Sequence, residues 1–381
     1  MKKITLKFGL VNVELYLDKK LEYLYTFFSD WFRYRDDFNN IKTNTDVIFH
    51  LISQSKLLSN NVKLRPKTLS YWDERAWLVF IQKQNPANWK ITCVPKFSRR
   101  MSVVRYFPSF FIRPLFNDAP TFKYLQASYF LYNILIPIVQ SILLTKGCTF
   151  IHAASVCSVK GSYLFSGLGG AGKTSASSYL YLKESDVYNC LGDDFSIISE
   201  TGIVYPNPMP MNVYPYNIKS FPELKKYLLT SMSFSEKFYW KVRSFLFGSK
   251  AAMKRIALPK TTVDCQNTEL NTVFHLERWG GETFKIKELK PREFSTIAKN
   301  ILLYEFKDKQ KLFASANLSS EINKTFNIPS IDQMGLKAEE IYMKACRNKK
   351  IIKILVPENI NIIELGEFIR KLISEDNNIV K

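Results

Sequence analysis

The sequence predicts a mixed α/β (α+β) protein. Its core is a mixed, partly antiparallel sheet carrying a glycine-rich phosphate-binding loop, and an N-terminal α+β region precedes it. Three observations predict this. Short runs of β-branched and aromatic residues alternate with amphipathic stretches along all 381 residues. The run "SYLFSGLGGAGKTSASSYLYL" reads as an apolar strand, a glycine loop and a helix in immediate succession. Finally, "CTFIHAASVCSV" is followed by the turn Lys160-Gly161 and then by "SYLF". That connection is too short for a crossover helix, so the two strands pair antiparallel.

The elements follow in order. "ITLKFGLVNVELYL", "VIFHLI", "AWLVFIQ" and "WKITCVPKF" read as strands, and "LEYLYTFFSDWFRY" as an aromatic helix. At "DAPT", Asp118 to Thr121, a boundary is expected, because Pro120 suits a first helical turn. Residues 1–118 then form the N-terminal α+β domain and 119–381 the domain with the glycine loop. An apolar helix is expected from Phe122 to Leu144, ended by Lys146-Gly147. Its most apolar part, "YFLYNILIPIVQSILL", holds Asn133, Pro137 and Gln140 and is short of the roughly 20 residues a span needs, so it reads as a core helix. After the loop come two apolar runs around Asp193-Asp194. "NTVFHLER" and "TFKIKEL" read as a strand pair across Gly280-Gly281, "KIIKILVP" as a strand and "NIIELGEFIRKLIS" as a closing amphipathic helix.

Composition bounds the function. Apolar residues make up 46% and charged residues 23%, as in ordinary globular proteins. The net charge of +20 favours acidic partners such as nucleotides or phosphorylated substrates. Six scattered cysteines without a CxxC pair, and only three histidines, exclude a zinc finger. Reduced thiols in a cytoplasmic protein are expected. The N-terminus is interrupted by charged and polar residues and does not read as a signal peptide.

The chemistry concentrates in one region. Gly167-Leu168-Gly169-Gly170-Ala171-Gly172-Lys173-Thr174, followed by Ser175, satisfies G-x-x-x-x-G-K-[ST]. Glycines there let backbone N–H groups turn toward one concavity at a helix N-terminus. Lys173 is placed to reach the β- and γ-phosphates of ATP, and Thr174 to help hold Mg²⁺. Asp193 and Asp194 suit two jobs beside a triphosphate: holding Mg²⁺ and accepting a proton from an attacking hydroxyl. His152 stands on the strand next to the one that feeds the loop, within reach of the phosphate end. His275 and His50 read as strand residues without a catalytic role. Two basic, aromatic-rich stretches remain, "KFSRRMSVVRYFPSFFIRPLF" and "EKFYWKVRSFLFGSKAAMKRIALPK". No RNA- or DNA-binding signature accompanies them, so nucleic acid is not an expected partner. Arg255, in the second, is the candidate for clamping a transferred phosphoryl group.

These residues resemble the HPr kinase/phosphorylase-like family, whose nucleotide site is related to that of phosphoenolpyruvate carboxykinases. The resemblance rests on "IHAASV", "GSYLFSGLGGAGKTS" and "LGDDFSII", covers about Cys148 to Val204, and is weaker in the C-terminal strand and helix. It implies an ATP-dependent kinase using Mg²⁺, with His152 assisting near the phosphates and Lys173 binding them. Thr174 would coordinate the metal, and one of Asp193 and Asp194 would act as base while the other faces the metal. It also implies a hydroxyl acceptor, either a small molecule, a sugar or a peptide serine, and a tendency to homo-oligomers. The E-[IV]-R-G segment typical of true HPr kinases is missing, which argues against HPr as the acceptor. Two rival readings make different demands: a nucleotide-gated regulatory or assembly protein needs no acceptor, and an RNA-associated NTPase needs stimulation by nucleic acid.

Overall fold

The computed structural model describes residues 1–32, 45–53, 69–73, 77–85, 88–96, 122–232, 234–248, 254–257, 267–309, 311–312, 314 and 329–379. The protein is mixed α/β, with parallel and antiparallel pairing inside the same sheets. It packs as two compact units, Met1–Lys146 with Phe306–Gly335, and Gly147–Glu305 with Leu336–Lys381. The boundary expected at 118/119 lies outside the described residues. The packing division into these two units falls at 146/147, with the long apolar helix in the first unit.

In the first unit, β1 (Lys2–Phe8), β2 (Val11–Leu17), β3 (Val47–Leu51), β4 (Leu69–Asp73), β5 (Trp77–Asn85) and β6 (Asn88–Pro95) form one sheet in the order β1-β2-β3-β6-β5-β4. The run 4–17, read as one strand, is a hairpin: β1 and β2 pair antiparallel from Phe8↔Val11, with Gly9 at φ 57° between them. Alternation then puts Val11, Val13, Leu15 and Leu17 of β2 in the core. The helices are α1 (Glu22–Phe32), α2 (Phe122–Phe130) and α3 (Ile136–Thr145), with a π-helical turn over Leu131–Leu135 linking the last two. Phe130 is the hub of this core, with its ring 5.4–6.0 Å from those of Phe28, Phe49 and Trp77. Among the described residues, Leu125–Thr145 is the one helical stretch long and apolar enough to cross a membrane, and 83% of its most apolar window is buried inside the fold. His50 on β3 stacks on Tyr16, and burial lowers its pKa.

The second unit carries the glycine loop. Its strands are β7 (Cys148–Ile151), β8 (Ala153–Ser158), β9 (Gly161–Ser166), β10 (Asn189–Gly192), β11 (Ser196–Ser199), β12 (Ile203–Tyr205), β13 (Met211–Val213), β14 (Lys254–Ile256), β15 (Thr268–Trp279), β16 (Lys285–Glu288) and β17 (Lys350–Pro357). Its helices are α4 (Lys173–Lys183), α5 (Pro215–Ser220), α6 (Glu223–Ser231), α7 (Phe234–Phe247), α8 (Pro291–Phe306), α9 (Ile331–Ala345) and α10 (Ile362–Ile379), of which α8 and α9 continue into the first unit by one and five residues. The principal path runs β10-β8-β9-β15-β12-β11-β7, with β17 parallel to β15 and β16 antiparallel to β17. β13 and β14 form a separate antiparallel pair.

The predicted antiparallel hairpin is present: β8 pairs with β9 from Ser158↔Gly161 to Ala153↔Ser166. Two sequence expectations need correction. "NTVFHLER" and "TFKIKEL" do not pair with each other, because β17 inserts between β15 and β16; a local turn reading cannot see a strand arriving from 60 residues downstream. The thiols are not all reduced either. Cys93, Cys148, Cys190 and Cys346 are buried thiols outside any disulfide, but Cys157 on β8 is disulfide-bonded. Spacing along the chain does not report the distance between Cα atoms in space, which is what decides bridging.

Candidate active site

Strand direction brings the site residues together. β9 runs toward Gly167, and β8 runs the opposite way, so its entry at His152 lies beside the exit of β9. β10 is antiparallel to β8 and therefore runs with β9, so its exit at Asp193 reaches the same edge. The parallel neighbour β15 delivers Arg278 to that edge too. Ligands of α/β sheets bind outside the carboxyl ends of such strands.

The loop Gly167–Gly172 leads directly into α4, with Lys173 and Thr174 as the first helical residues. Gly167 sits at φ 150°, and a Cβ there would lie 2.4 Å from the Leu276 carbonyl oxygen. Gly172, at φ 110°, caps the helix, and a Cβ there would meet Leu365 at 2.7 Å. Only glycine fits both demands at each position. Nothing lies within 4 Å of a Cβ at Gly169 or Gly170, which leaves the crest open for a group to approach the backbone. Leu168 is exposed at the crest, whereas Ala171 and Ser175 are buried beneath it. The Lys173 ammonium folds back over the loop and donates to the carbonyls of Gly167 at 2.9 Å and Leu168 at 3.1 Å. Burial lowers its pKa, and Asp194, Asp193 and Glu305 oppose that effect.

Asp193 and Asp194 occupy the tight turn between β10 and β11, closed by a 2.7 Å bond from the Phe195 N–H to the Asp193 carbonyl. Asp194 takes φ 61°, one of two non-glycine residues in the left-handed region among those described. Buried Asn207 clamps this turn, since its N–H donates to the Leu191 carbonyl at 2.8 Å and its side-chain amide to the Phe195 carbonyl. The Asp193 carboxylate is 2% exposed and accepts from the Thr174 hydroxyl at 2.8 Å, which ties the turn to the loop. Burial, then the adjacent Asp194 charge, pushes its pKa well above the ordinary carboxylate range.

Asn212 on β13 joins the two carboxylates to Arg255. Its N–H donates to Asp193 at 3.3 Å, and its side-chain amide donates to Asp194. Its side-chain oxygen accepts from the Arg255 Nε at 3.2 Å, because Asn212 and Arg255 face each other in the β13–β14 register. Arg255, singled out from the sequence, therefore stands one residue from the carboxylate pair.

His152 occupies the break between β7 and β8. It is 6% exposed, and neither ring nitrogen has a hydrogen-bond partner. Its nearest carboxylate is Glu305 on α8 at 3.9 Å, beyond hydrogen-bond distance, and Phe195 lies edge-on with ring centroids 5.7 Å apart. Burial and the Lys173 charge, against a smaller opposing effect of Asp194, lower its pKa to about 4, so the ring is neutral near pH 7. His275 on β15 is likewise buried, with a pKa lowered to about 4 by burial, and faces Phe294.

Four contributors were not read from the sequence: Asn207, Asn212, Arg278 and Glu305. Arg278 braces the loop crest, donating from Nε to the Gly170 carbonyl at 3.2 Å and from Nη1 to the Pro357 carbonyl at 2.6 Å. Its position at the end of a strand beside the loop strand was an available signal; "PMPMNV" around Asn212 offered none. Among the described residues no group of three or more His, Cys, Asp or Glu converges as a metal cage. The oxygens at hand are those of Thr174 and Asp193, a donor pair that suits a hard cation shared with phosphate oxygens. In comparison with known proteins, no family model and no curated protein matches this chain.

Proposed function

We propose that this protein is an ATP-dependent phosphotransferase with a core of the HPr-kinase-like kind, moving the γ-phosphoryl group to a hydroxyl acceptor. The observation that carries the reading is the Thr174–Asp193 hydrogen bond, which joins a phosphate-type loop to a buried carboxylate pair. Two further features support it: the antiparallel β8–β9 approach and, on the same edge, the buried His152, neither of whose ring nitrogens is hydrogen-bonded.

In this reading Lys173 leaves the Gly167 and Leu168 carbonyls for the β- and γ-phosphates, and the open crest at Gly169 and Gly170 admits the triphosphate. Thr174 and Asp193 would hold Mg²⁺, which supplies charge neutralisation on the phosphates. Occupied in that way, Asp193 leaves Asp194 as the base. Asp194 takes the acceptor's hydroxyl proton as the acceptor oxygen bonds the γ-phosphorus. The bond to the β,γ-bridging oxygen breaks, and ADP leaves. Asn212 holds Asp194 in place, and Arg255 faces the transferred group from the same strand pair. Neutral His152 adds a hydrogen-bonding group at the phosphate end.

The test is incubation of the full chain with γ-labelled ATP, Mg²⁺ and a metabolite and peptide extract, followed by mass spectrometry. A phosphorylated product is expected with the wild type, while Asp194→Asn should bind ATP normally and transfer nothing. ATP binding without any acceptor-dependent consumption would instead establish the regulatory reading. Stimulation of ATP consumption by RNA, falling steeply with salt, would establish the RNA-associated one.

A further inference from the structure

The chain between Asn212 and Arg255 makes an excursion of three helices, α5, α6 and α7, before returning to the β13–β14 pair. The last of these, α7, turns an unusual face outward. At about 100° per residue, Phe234, Phe238 and Phe245 lie within roughly 40° of one another around its axis. Phe234 is 88% and Phe245 87% exposed, and Leu246, next in sequence, is 62% exposed. Exposed Lys241 lies in the same stripe, with Lys237 on its border. On the opposite side Trp240 packs against the core, and Glu236 is paired with Lys254 at 2.8 Å.

We propose that this face of α7 docks on an anionic membrane surface. Rings exposed to nearly nine-tenths form a ridge and do not line a groove, so their complement is a surface that yields around them. Exposed phenyl rings such as Phe234 and Phe245, interleaved with lysines, match the composition of helices that lie in the headgroup region: the rings enter the acyl boundary, and the lysine stems reach back to lipid phosphates. Charge selects the same partner. Lys237 and Lys241 belong to a chain of net charge +20, and Glu236, the helix's acidic residue in its first turn, is already paired. Anionic headgroups complement that surface, whereas a second copy would set one basic ridge against another. The docking involves no spanning segment, since the apolar stretch Leu125–Thr145 is mostly buried inside the fold. It stands independently of the proposed phosphotransfer.

Flotation of the full chain with vesicles tests it, using phosphatidylglycerol mixed with phosphatidylcholine against phosphatidylcholine alone, at about 0.15 M salt. The protein should float with the anionic vesicles and not with the neutral ones. A protein this basic adsorbs to anionic lipid by charge alone. The deciding variant is therefore F234S/F245S, which keeps every charge and should bind at least about tenfold more weakly. K237E/K241E should lose binding to a similar degree. None of the four positions is buried, so unchanged circular dichroism and thermal transitions are expected. Wild-type flotation by F234S/F245S would overturn the proposal, as would failure of the wild type to bind anionic vesicles. So would a concentration-dependent dimer abolished by F234S/F245S in the absence of vesicle binding.

Discussion

The two sides of the candidate site are built in opposite ways. The phosphate side is one continuous segment, Gly161 to Ser175, in which strand, loop and helix follow without interruption. The carboxylate side is assembled from three separated pieces: the Asp193-Asp194 turn, Asn212 on β13 and Arg255 on β14. A continuous loop is held by its own backbone geometry, with Arg278 as an outside brace. An assembled cluster depends on strand register, since a slip of one residue in β13–β14 would turn either Asn212 or Arg255 to the other face. Local substitutions should therefore damage the first side through the backbone and the second through lost hydrogen bonds.

The largest effect is expected at the loop lysine. Lys173→Ala should lower nucleotide-dependent transfer about 10³-fold, or ~4 kcal/mol, measured as kcat/KM for the acceptor that the labelled-ATP screen returns. Residual activity near wild type would remove the phosphate side from the mechanism.

Next comes the loop backbone. Gly167→Ala forces a left-handed conformation and a 2.4 Å approach to the Leu276 carbonyl, so a loss of roughly 3 kcal/mol or more in unfolding free energy is expected. Gly169→Ala meets open space and should leave the denaturation midpoint within about 0.5 kcal/mol of wild type. Equal effects at the two positions would contradict the backbone-held loop.

The buried histidines predict a pH dependence. His152 and His275 have folded pKa values near 4, below the ordinary 6.5, so the unfolded chain binds more protons between those values. Stability present above pH 6.5 is then lost as pH falls toward 4, by roughly 2–3 kcal/mol for each histidine. Asp193, with a raised pKa, works in the opposite direction and offsets part of the loss. Thermal melts from pH 7 to 4 should show a net decline, and His275→Gln should flatten it.

The smallest effect is expected on the assembled side. Asn212→Ala removes one positioning residue but leaves Asp194 and Arg255, so transfer should fall about tenfold to thirtyfold with ATP affinity nearly unchanged. A drop in ATP affinity equal to the drop in rate would show that the two sides are not separable.

The sequence alone determined what is local. The glycine loop and its antiparallel approach strand were legible because turn length and glycine spacing act over a few residues, and Asp193-Asp194 stood out as the break between two apolar runs. The closing helix and most strands were legible because periodicity reports which side chains one core can bury. The hairpin hidden in 4–17, the strand β4, the arrival of β17 between β15 and β16, and the bridging of Cys157 were not legible. Each depends on a partner far away in the chain. Tertiary structure alone decided the carboxylate side: Asn212 and Arg255 are 43 residues apart, and only the β13–β14 register sets them face to face beside Asp194. It also decided the state of His152, because the fold strips the imidazole of water and sets it beside the buried Lys173 ammonium, and both disfavour its protonated form.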